Sequence, residues 1–294
     1  MLATACAPAP AAPRGHASPA YDSGKYCAGC ECVPTEGDTR ELIADLIAEQ
    51  ETLDRLVAGL GVSQASAVSP APGWLLRDCV AHLAEMDASA AFVIETRTFP
   101  RGMGAGQNEG MSRRQAELRG WSLALVMTYW RESRERLAGA LAPLDPKERL
   151  PWAGPPMSAR SFATARLMEA WSHGLDIHDA AGASPVDTDR LKHVAHLGYV
   201  TREFAYRTHG LEPPATPLYV ELTAPSGAVW TWGPPDAPDR ISGAAGDFCR
   251  VVTQRLHPAD TTLQTKGDRA AEFLRVAQAF AGPPGAGRAP KAAK

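Results

Sequence analysis

The sequence predicts a mainly α protein, in which a four-helix bundle is followed by a small α+β unit. Two observations carry this prediction. Between residues 38 and 210 apolar residues recur at the helical period over long segments, whereas beyond residue 215 short β-like runs alternate with Pro and Gly turns. A chain of 294 residues that is 45% hydrophobic and 21% charged has enough apolar material for such a core.

The first 37 residues are predicted to be a disordered leader. They are rich in Ala, Pro and Gly and contain almost no large aliphatic side chains. Their one distinctive feature is a C-x-x-C-x-C cluster of Cys27, Cys30 and Cys32. Such a cluster could bind a soft metal if His16 or Cys6 supplied a fourth ligand. The alternative, that the leader binds nothing, stays open at this point.

Four long helices are predicted next, at residues 39–60, 74–98, 112–141 and 158–181. Gly59 and Gly61 mark the end of the first helix, and Ser158 is a good N-cap for the fourth. The segment LDPKERLPWAGPPMS, between the third and fourth helices, is interpreted as a Pro-rich crossover. The charged run from Arg131 to Arg136 is predicted to be a solvated helix face. Four amphipathic helices with extended linkers are typical of a bundle.

A further helix is predicted at residues 187–209, so that the bundle region covers residues 38–210. The pattern then changes, because LYVEL, AVWTW and DRISG are short β-like runs. They are followed by a helical run AAGDFCRVVTQRL, an extended run TLQTKG and a helical run DRAAEFLRVAQAFAG. These runs predict a small α+β unit at residues 215–283, and residues 284–294 are interpreted as a disordered basic tail with a solvated end.

Charge and hydropathy narrow the function classes. No run approaches the roughly 18 consecutive apolar residues of a spanning helix, and the N-terminus lacks a secretory pattern, so we expect a cytoplasmic protein with no membrane partner. A net charge of −3 gives no general attraction to nucleic acid. Cys79 and Cys249 lie in apolar helical contexts and are predicted to be small buried hydrophobes rather than members of a disulfide framework.

The segment ARLMEAWSHGLDIHD carries the strongest chemical signal. Glu169 and His173 are four residues apart, which is about 400° around a helix, so both side chains leave from one face. Most of their neighbours are apolar, which indicates that this face looks into the protein, and His82 in the second helix is set in a similar context. A metal ion would satisfy these buried polar groups together. Taken alone, the Glu169 and His173 pair could also be a surface pair or a satisfied core histidine.

Residues around these three receive supporting roles. Glu85 is one turn from His82 and is a candidate extra ligand or general base. Asp176 is three residues past His173 and could accept the free ring N–H of that histidine, although a surface role is an equal alternative. His178 is about 500° past His173, so we expect it to point away from the ligand face. The same alternative of a surface role applies to Asp179.

Two motifs together resemble a known family. W-x-x-x-D-x-x-x-H at Trp74, Asp78 and His82, with E-x-x-x-H at Glu169 and His173, resembles the metal-binding bundle of the DinB-like superfamily. It is most similar to the actinobacterial branch named for mycothiol-dependent maleylpyruvate isomerase. The resemblance covers roughly residues 38–185. The part after residue 215 looks like the small α+β domain often fused to that bundle, and more weakly like a domain named after wyosine base formation in tRNA modification.

The resemblance implies a ligand set and a chemistry. His82, Glu169 and His173 correspond to the family's three ligands for a divalent metal, with zinc as the expected ion. The isomerases of the family add a low-molecular-weight thiol such as mycothiol to an activated double bond, allow rotation and eliminate the thiol. They are also thought to hold the substrate carboxylate with an arginine of the C-terminal domain. The candidates here are Arg240, Arg250 and Arg255, of which Arg250 and Arg255 are favoured.

Three functions follow as hypotheses. The first is a metal-dependent thiol transferase or isomerase, an enzyme whose partners are a small-molecule thiol and an electrophilic substrate, and which could pair as a homodimer. The second is a metal-binding or stress-response module without catalysis, because three ligands alone say nothing about a substrate. The third, carried by the C-terminal part alone, is an accessory of tRNA wyosine modification. The acidic composition, with a pI near 6.2, argues against that nucleic-acid role.

Overall fold

The computed structural model describes residues 36–99, 113–152, 154–285 and 287–291. The predicted leader and its Cys27, Cys30 and Cys32 cluster lie outside these residues. The first part of the described chain contains six helices and a hairpin: α1 (Glu36–Ala58), α2 (Val62–Ala65), α3 (Leu76–Thr96), α4 (Arg113–Leu118), α5 (Leu123–Leu141), β1 (Arg149–Trp152), β2 (Gly154–Ser158) and α6 (Ala159–Ala181). None of the described helices combines the length and the hydropathy needed to cross a bilayer.

The second part alternates short helices and strands, and the α+β unit predicted at residues 215–283 corresponds to its elements from β3 onward. Its elements are α7 (Leu191–Val200), α8 (Arg202–Thr208), β3 (Leu218–Thr223), β4 (Val229–Trp232), β5 (Asp239–Ala244), α9 (Ala245–Val252), β6 (Gln264–Lys266) and α10 (Asp268–Val276). The strands form one sheet of order β4-β3-β5-β6, in which only β3 and β5 are parallel. The predicted fold, a mainly helical bundle followed by a small α+β region, is confirmed.

The four long helices α1, α3, α5 and α6 pack as the bundle. Helix α3 contacts both α5 and α6, while α1 contacts α6 and α5. Large side chains such as Trp130 and Phe162 are fully buried in this part of the protein. Burial of such aromatic side chains supplies much of the free energy that holds the helices together. The bundle therefore forms a fixed frame for the polar side chains that α3 and α6 present to each other.

Two predicted helices are each divided into two. The helix predicted at residues 112–141 is interrupted after α4, and α5 begins where Ser122 Oγ accepts a hydrogen bond from Leu125 N at 3.3 Å. The hydroxyl serves as an N-cap, which favours a new start over continuation. The helix predicted at residues 187–209 is likewise divided into α7 and α8 at Thr201, whose hydroxyl donates to Leu197 O at 2.8 Å.

The predicted Pro-rich crossover is a β-hairpin. Strands β1 and β2 are antiparallel, with Leu150 opposite Met157, and Leu150 is fully buried. Trp152 packs edge-on against Phe162 of α6, with ring centroids 4.9 Å apart. The hairpin leads directly into α6, where Ser158 Oγ accepts a hydrogen bond from Ser161 N at 3.1 Å, so the predicted N-cap is confirmed.

The sequence predicted that the charged run on α5 is a solvated face, but two of its arginines are paired with α1. Arg131 and Arg134 both form ion pairs with Asp54 of α1, at 2.7 and 2.6 Å. Arg134 also lies over the ring of Trp130, 4.9 Å from its centroid. Hydrogen bonding from Arg131 and the charges of both arginines lower the pKa of Asp54. These side chains therefore join α5 to α1 rather than only facing water.

The position at which α9 ends determines where the side chain of Arg255 lies. The sequence predicted one helix through Leu256, but α9 ends at Val252 because Gln254 adopts a left-handed conformation with φ 62°. Gln254 N donates to Val251 O at 2.9 Å and Arg255 N donates to Arg250 O at 2.7 Å, which together form a Schellman cap. The chain reverses there, and Arg255 leaves from the turn instead of from the helix.

A continuous apolar cluster joins the two parts of the chain. It contains Leu167 of α6, Val194 of α7, Val220 of β3 and Phe248 of α9. Residues 211–217, where the sequence predicts a domain boundary, have no helix or strand, yet the packing continues across that boundary. The division into a 38–210 unit and a 215–283 unit stays a prediction. Removing the second unit would expose the buried face of α7, so point substitutions are the better tests.

Gly198 permits the close approach of α7 to α9. A Cβ atom at this position would lie 2.7 Å from Val252 Cγ2, closer than carbon atoms pack. Although alanine is the better helix former by about 1 kcal/mol, we expect Gly198→Ala to lower the free energy of unfolding by about 1–2 kcal/mol, because overpacking outweighs propensity. Urea unfolding would measure the change. In a Val252→Ala background the loss should disappear, and an equal loss there would contradict this explanation.

Candidate metal centre

Three side chains predicted as ligands meet between α3 and α6. His82 comes from α3, and Glu169 and His173 come from successive turns of α6. Glu169 Oε2 lies 3.5 Å from His82 Nε2 and 3.5 Å from His173 Nε2. One ligand atom from each of the three residues lies within 4.8 Å of the other two. The helical spacing therefore brings Glu169 and His173 to one face, and bundle packing brings His82 opposite them.

The start of α3 explains how His82 is presented. Asp78 Oδ2 accepts a hydrogen bond from Leu75 N at 2.9 Å, which caps the helix, and it also forms an ion pair with Arg119 at 2.7 Å. Asp78 is buried, so its carboxylate needs both partners. His82 follows Asp78 by about one turn, and a fixed helix start therefore fixes the position of the imidazole.

Trp74 covers the two imidazoles. Its ring is stacked on that of His173, with centroids 5.6 Å apart and an interplanar angle of 10°. It also contacts the ring of His82 at 5.1 Å between centroids. The tryptophan of the W-x-x-x-D-x-x-x-H motif thus limits ring rotation, and the aspartate and histidine of the motif set the helix end and the ligand.

Behind His173 lies a carboxylate shared by two arginines. Asp176 Oδ2 is 3.3 Å from His173 Nδ1 and 2.8 Å from Arg255 Nη2. Asp176 Oδ1 is 3.2 Å from Arg288 Nη2. Asp176 is therefore placed to accept the Nδ1–H of His173, which leaves Nε2 of that ring facing Glu169. A second-shell carboxylate of this kind sets the tautomer and orientation of a ligating histidine.

The protonation preferences of the cluster follow from burial and neighbours. Burial lowers the pKa of His82 to about 4, so this imidazole is neutral at physiological pH. Burial disfavours the charged form of Glu169, but hydrogen bonds from His173 and His82 outweigh it and hold the pKa of Glu169 well below its usual value. Burial also opposes charge on His173, and contacts with Asp176, Cys79 and Glu169 reverse that effect and raise its pKa.

The donor set and the spacing fit a divalent ion. Zinc takes nitrogen and oxygen ligands at about 2.0–2.2 Å, and ligand atoms at the corners of such a tetrahedron are about 3.4 Å apart. The two 3.5 Å separations from Glu169 Oε2 to the imidazoles are close to that value. Two imidazoles and one carboxylate leave a fourth coordination position for water or substrate, which is the composition of catalytic rather than structural zinc sites.

The structure divides the predicted arginine candidates. Arg255 lies at the cluster, since its Nη2 is 2.8 Å from Asp176 Oδ2 and 3.5 Å from His173 Nδ1. Arg250 is instead held in a two-bond ion pair with Asp187 at 2.7 and 2.8 Å, and its role as a carboxylate-binding residue stays a prediction. Arg240 donates to a backbone carbonyl in the loop before β5 and lies over Tyr219.

The other predicted residues, Glu85 and His178, are not among the three clustered ligands. Glu85, predicted as an extra ligand or base, is half-buried and is not a member of the cluster of possible ligands. His178 bonds Gly174 O at 2.8 Å and lies outside the cluster, as its spacing predicted. Cys79 and Cys249 are buried free thiols, as predicted. Cys79 contributes to the raised pKa of His173, a contact that the sequence did not indicate.

The contacts of Arg288 were not predicted from the sequence. Residues 284–294 were interpreted as a disordered tail with a solvated end, yet Arg288 Nη1 lies 2.7 Å from Asp179 Oδ2, in addition to its contact with Asp176. The nearby Lys291 N donates to Asp260 Oδ2 at 2.9 Å. A basic residue in a Pro- and Gly-rich segment gives no local signal of a partner, so only the paired acids on α6 could have suggested it.

Asp176 provides a test of this second shell. We expect Asp176→Asn to weaken zinc binding by about tenfold, because an amide is a poorer acceptor for the His173 ring N–H than a carboxylate. Competition with a chelating dye would measure the affinity. Asp179→Asn is the matched control, since Asp179 also pairs with Arg288 but has no contact with His173 in the structure. Equal zinc affinity in the Asp176→Asn and wild-type proteins would contradict the assigned role.

Comparison with known proteins agrees with the fold and the motifs. Residues 46–178 match the family described as mycothiol maleylpyruvate isomerase N-terminal domain, and residues 214–266 match the family described as wyosine base formation. Proteins from two strains of Mycobacterium tuberculosis, both described as uncharacterized, are 43% identical over 258 residues, which cover 85% of this chain and 99% of theirs. These relatives thus share nearly the whole architecture.

Solved structures show the same fold. A mycothiol-dependent maleylpyruvate isomerase and a point mutant of it match with TM-scores of 0.55 and 0.56, at 16% identity, over 77% of this chain and 92% of theirs. Fold and site together define a DinB-like helical bundle with a candidate metal centre of two histidines and one glutamate. The chain belongs to the mycothiol maleylpyruvate isomerase N-terminal domain family.

Proposed function

We propose that this protein is a divalent-metal-dependent enzyme that uses a low-molecular-weight thiol such as mycothiol. The enzyme would transfer the thiol to an electrophilic small molecule, or use the thiol to isomerise that molecule. The observation that carries the proposal is the cluster of His82, Glu169 and His173, whose ligand atoms lie within 4.8 Å of one another. The family match and the fold of the mycothiol-dependent isomerase support it. Zinc is the expected ion.

The three ligands would leave one coordination position for the thiol. A divalent ion held there would supply the positive charge that lowers the pKa of a thiol and makes it nucleophilic at neutral pH. The chain's own contribution is orientation. Trp74 restrains the imidazoles and Asp176 holds the Nδ1–H of His173, so that Nε2 remains available as a ligand.

Arg255 is the residue proposed to hold an anionic group of the electrophile. It is the predicted arginine that the structure brings to the cluster, and its side chain retains 15% exposure. Arg288 shares Asp176 with it and also pairs with Asp179, so two guanidinium groups and two carboxylates lie together beside the ligands. The guanidinium of Arg255 would offer a substrate carboxylate charge-assisted hydrogen bonds, which favours a carboxylate-bearing substrate over a neutral one.

A thiol-addition assay tests the proposal directly. We expect zinc-loaded protein to consume mycothiol in the presence of an activated, carboxylate-bearing alkene, or to isomerise a cis alkene with no net loss of thiol. Metal-free protein should be inactive with the same pair and regain activity on addition of zinc. Zinc binding without turnover of any thiol and electrophile pair would instead support the second hypothesis, a metal-binding module without catalysis.

The tRNA-modification role is a separate candidate. It rests on the match of residues 214–266 to the wyosine base formation family. Gel-shift measurements with bulk tRNA would test it. Because the chain carries a net charge of −3, we expect no binding at physiological salt.

A further inference from the structure

A second group of buried polar side chains lies between α3 and α6, close to the three candidate ligands. Asp87 Oδ1 accepts a hydrogen bond from Arg166 Nε at 3.2 Å. Asp87 Oδ2 accepts from Gln50 Nε2 at 2.9 Å and from Trp130 Nε1 at 3.2 Å. Arg166 and Asp87 retain only 5% and 2% side-chain exposure, so this is an ion pair inside the bundle. Both oxygens of its carboxylate therefore have donors.

The guanidinium of Arg166 is not fully used. Its Nη2 atom is buried and has no hydrogen-bond partner among the described residues. A buried donor without a partner costs about 1–3 kcal/mol, and more when the group is charged. A single bond to Asp87 would also be served by a smaller side chain. An arginine in this position therefore requires an explanation beyond its pairing with Asp87.

The position of Arg166 on α6 indicates where the free donor can act. Arg166, Glu169 and His173 stand at i, i+3 and i+7, which is one stripe of the helix. Burial is the main influence on both groups, since it lowers the pKa of His82 and acts to raise the pKa of Glu169. The charge of Arg166 acts to lower both pKa values. Arg166 is thus the next polar residue of the stripe that carries two of the candidate ligands.

We propose that Arg166 is a positioning residue for Glu169. Glu169 turns Oε2 toward both imidazoles. The unpartnered Nη2 of Arg166, one turn earlier on the same helix, would donate to its other oxygen, Oε1, once Oε2 binds an ion. Asp87, held by Gln50 and Trp130, anchors the guanidinium at its other end. This inference rests on the proposed metal-dependent function. Arg166 would orient the carboxylate of Glu169, as Asp176 orients the imidazole of His173.

The test uses cobalt(II), whose visible absorption reports coordination geometry without any thiol or electrophile. Removing Arg166 alone would leave the Asp87 carboxylate buried without its opposite charge, so the variant is the double substitution Arg166→Met with Asp87→Asn, which removes both charges. The matched control is Arg190→Met with Glu49→Gln. That pair joins α7 to α1 at 2.7 Å and includes none of the candidate ligands.

We expect the Arg166 and Asp87 double variant to keep its helical circular dichroism but to bind cobalt about tenfold more weakly, with an altered absorption spectrum. The control variant should keep the wild-type affinity and spectrum. Arg166→Lys retains the charge beside Asp87 but lacks the forked donors, so it should fold and show an intermediate loss. If the double variant fails to fold, the lysine variant decides the question alone.

Wild-type affinity and spectrum in the folded variants would overturn the inference and limit Arg166 to holding α3 against α6. Such a result would leave the proposed metal-dependent function intact. A wild-type protein that binds neither cobalt nor zinc would instead refute the metal function and this inference together. The wild-type titration therefore distinguishes the two failures.

Discussion

Replacing His173 by alanine is expected to abolish zinc binding while the helical content of the protein stays unchanged. His173 is the one candidate ligand that is stacked by Trp74 and backed by Asp176, so its loss removes the best-oriented nitrogen of the cluster. The fold should survive, because Asp176 keeps its ion pairs with Arg255 and Arg288 and His173 is not itself a member of the apolar clusters. Elemental analysis of dialysed protein and circular dichroism would measure the two properties.

His178→Ala is the matched control for this substitution. It removes an imidazole from the same helix, one that bonds Gly174 O and is outside the ligand cluster. We expect this variant to retain the zinc content of the wild type. Normal zinc content in the His173→Ala protein would refute the assignment of the cluster, whatever the activity of that protein.

Replacing Arg255 by glutamine is expected to lower kcat/KM for a carboxylate-bearing electrophile by about 10- to 100-fold, the size of one lost hydrogen bond to a charged group. Zinc content at saturation should not change, because Arg288 continues to neutralise Asp176. A neutral electrophile assayed with the same thiol should show little effect. Steady-state kinetics on both substrates would measure the difference, and an equal loss for both would argue against carboxylate recognition.

Arg250→Gln serves as the control for the arginine prediction. Arg250 belongs to the same segment but binds Asp187, and it lies over Trp171 with 5.7 Å from guanidinium carbon to ring centroid. Its loss should lower the free energy of unfolding and leave KM for the acidic substrate unchanged. A raised KM in this variant, with none in Arg255→Gln, would reverse the assignment of the two arginines.

The helices of the bundle were predictable because each buries one face, and periodicity records that face directly. The break before α5 was not, since apolar residues continue at helical spacing on both sides of it. It depends on the competition of the Ser122 hydroxyl for a backbone N–H, a local effect of about 1 kcal/mol. The hairpin before α6 was likewise hidden, because prolines mark both loops and edge strands.

The choice between Arg250 and Arg255 shows the same limit within the site. On one continuous helix the two arginines, five residues apart, would face different directions because of the helical period alone. In the structure they are separated because the helix ends between them. The structure ends α9 at Val252 and places Gln254 at φ 62°. A glycine there would have announced the reversal, whereas glutamine rarely adopts this conformation and gives no such signal.

By itself the sequence determined that Glu169 and His173 share a face of one helix, because i and i+4 positions are neighbours in any α-helix. It also determined the two-part architecture, because the apolar period changes near residue 215. Only the tertiary structure decided which distant groups complete the site. The contacts of Arg255 and Arg288 with Asp176 span 79 and 112 residues of chain. Such pairings arise from how the helices, the sheet and the C-terminal segment pack, and no local pattern of residue types specifies them.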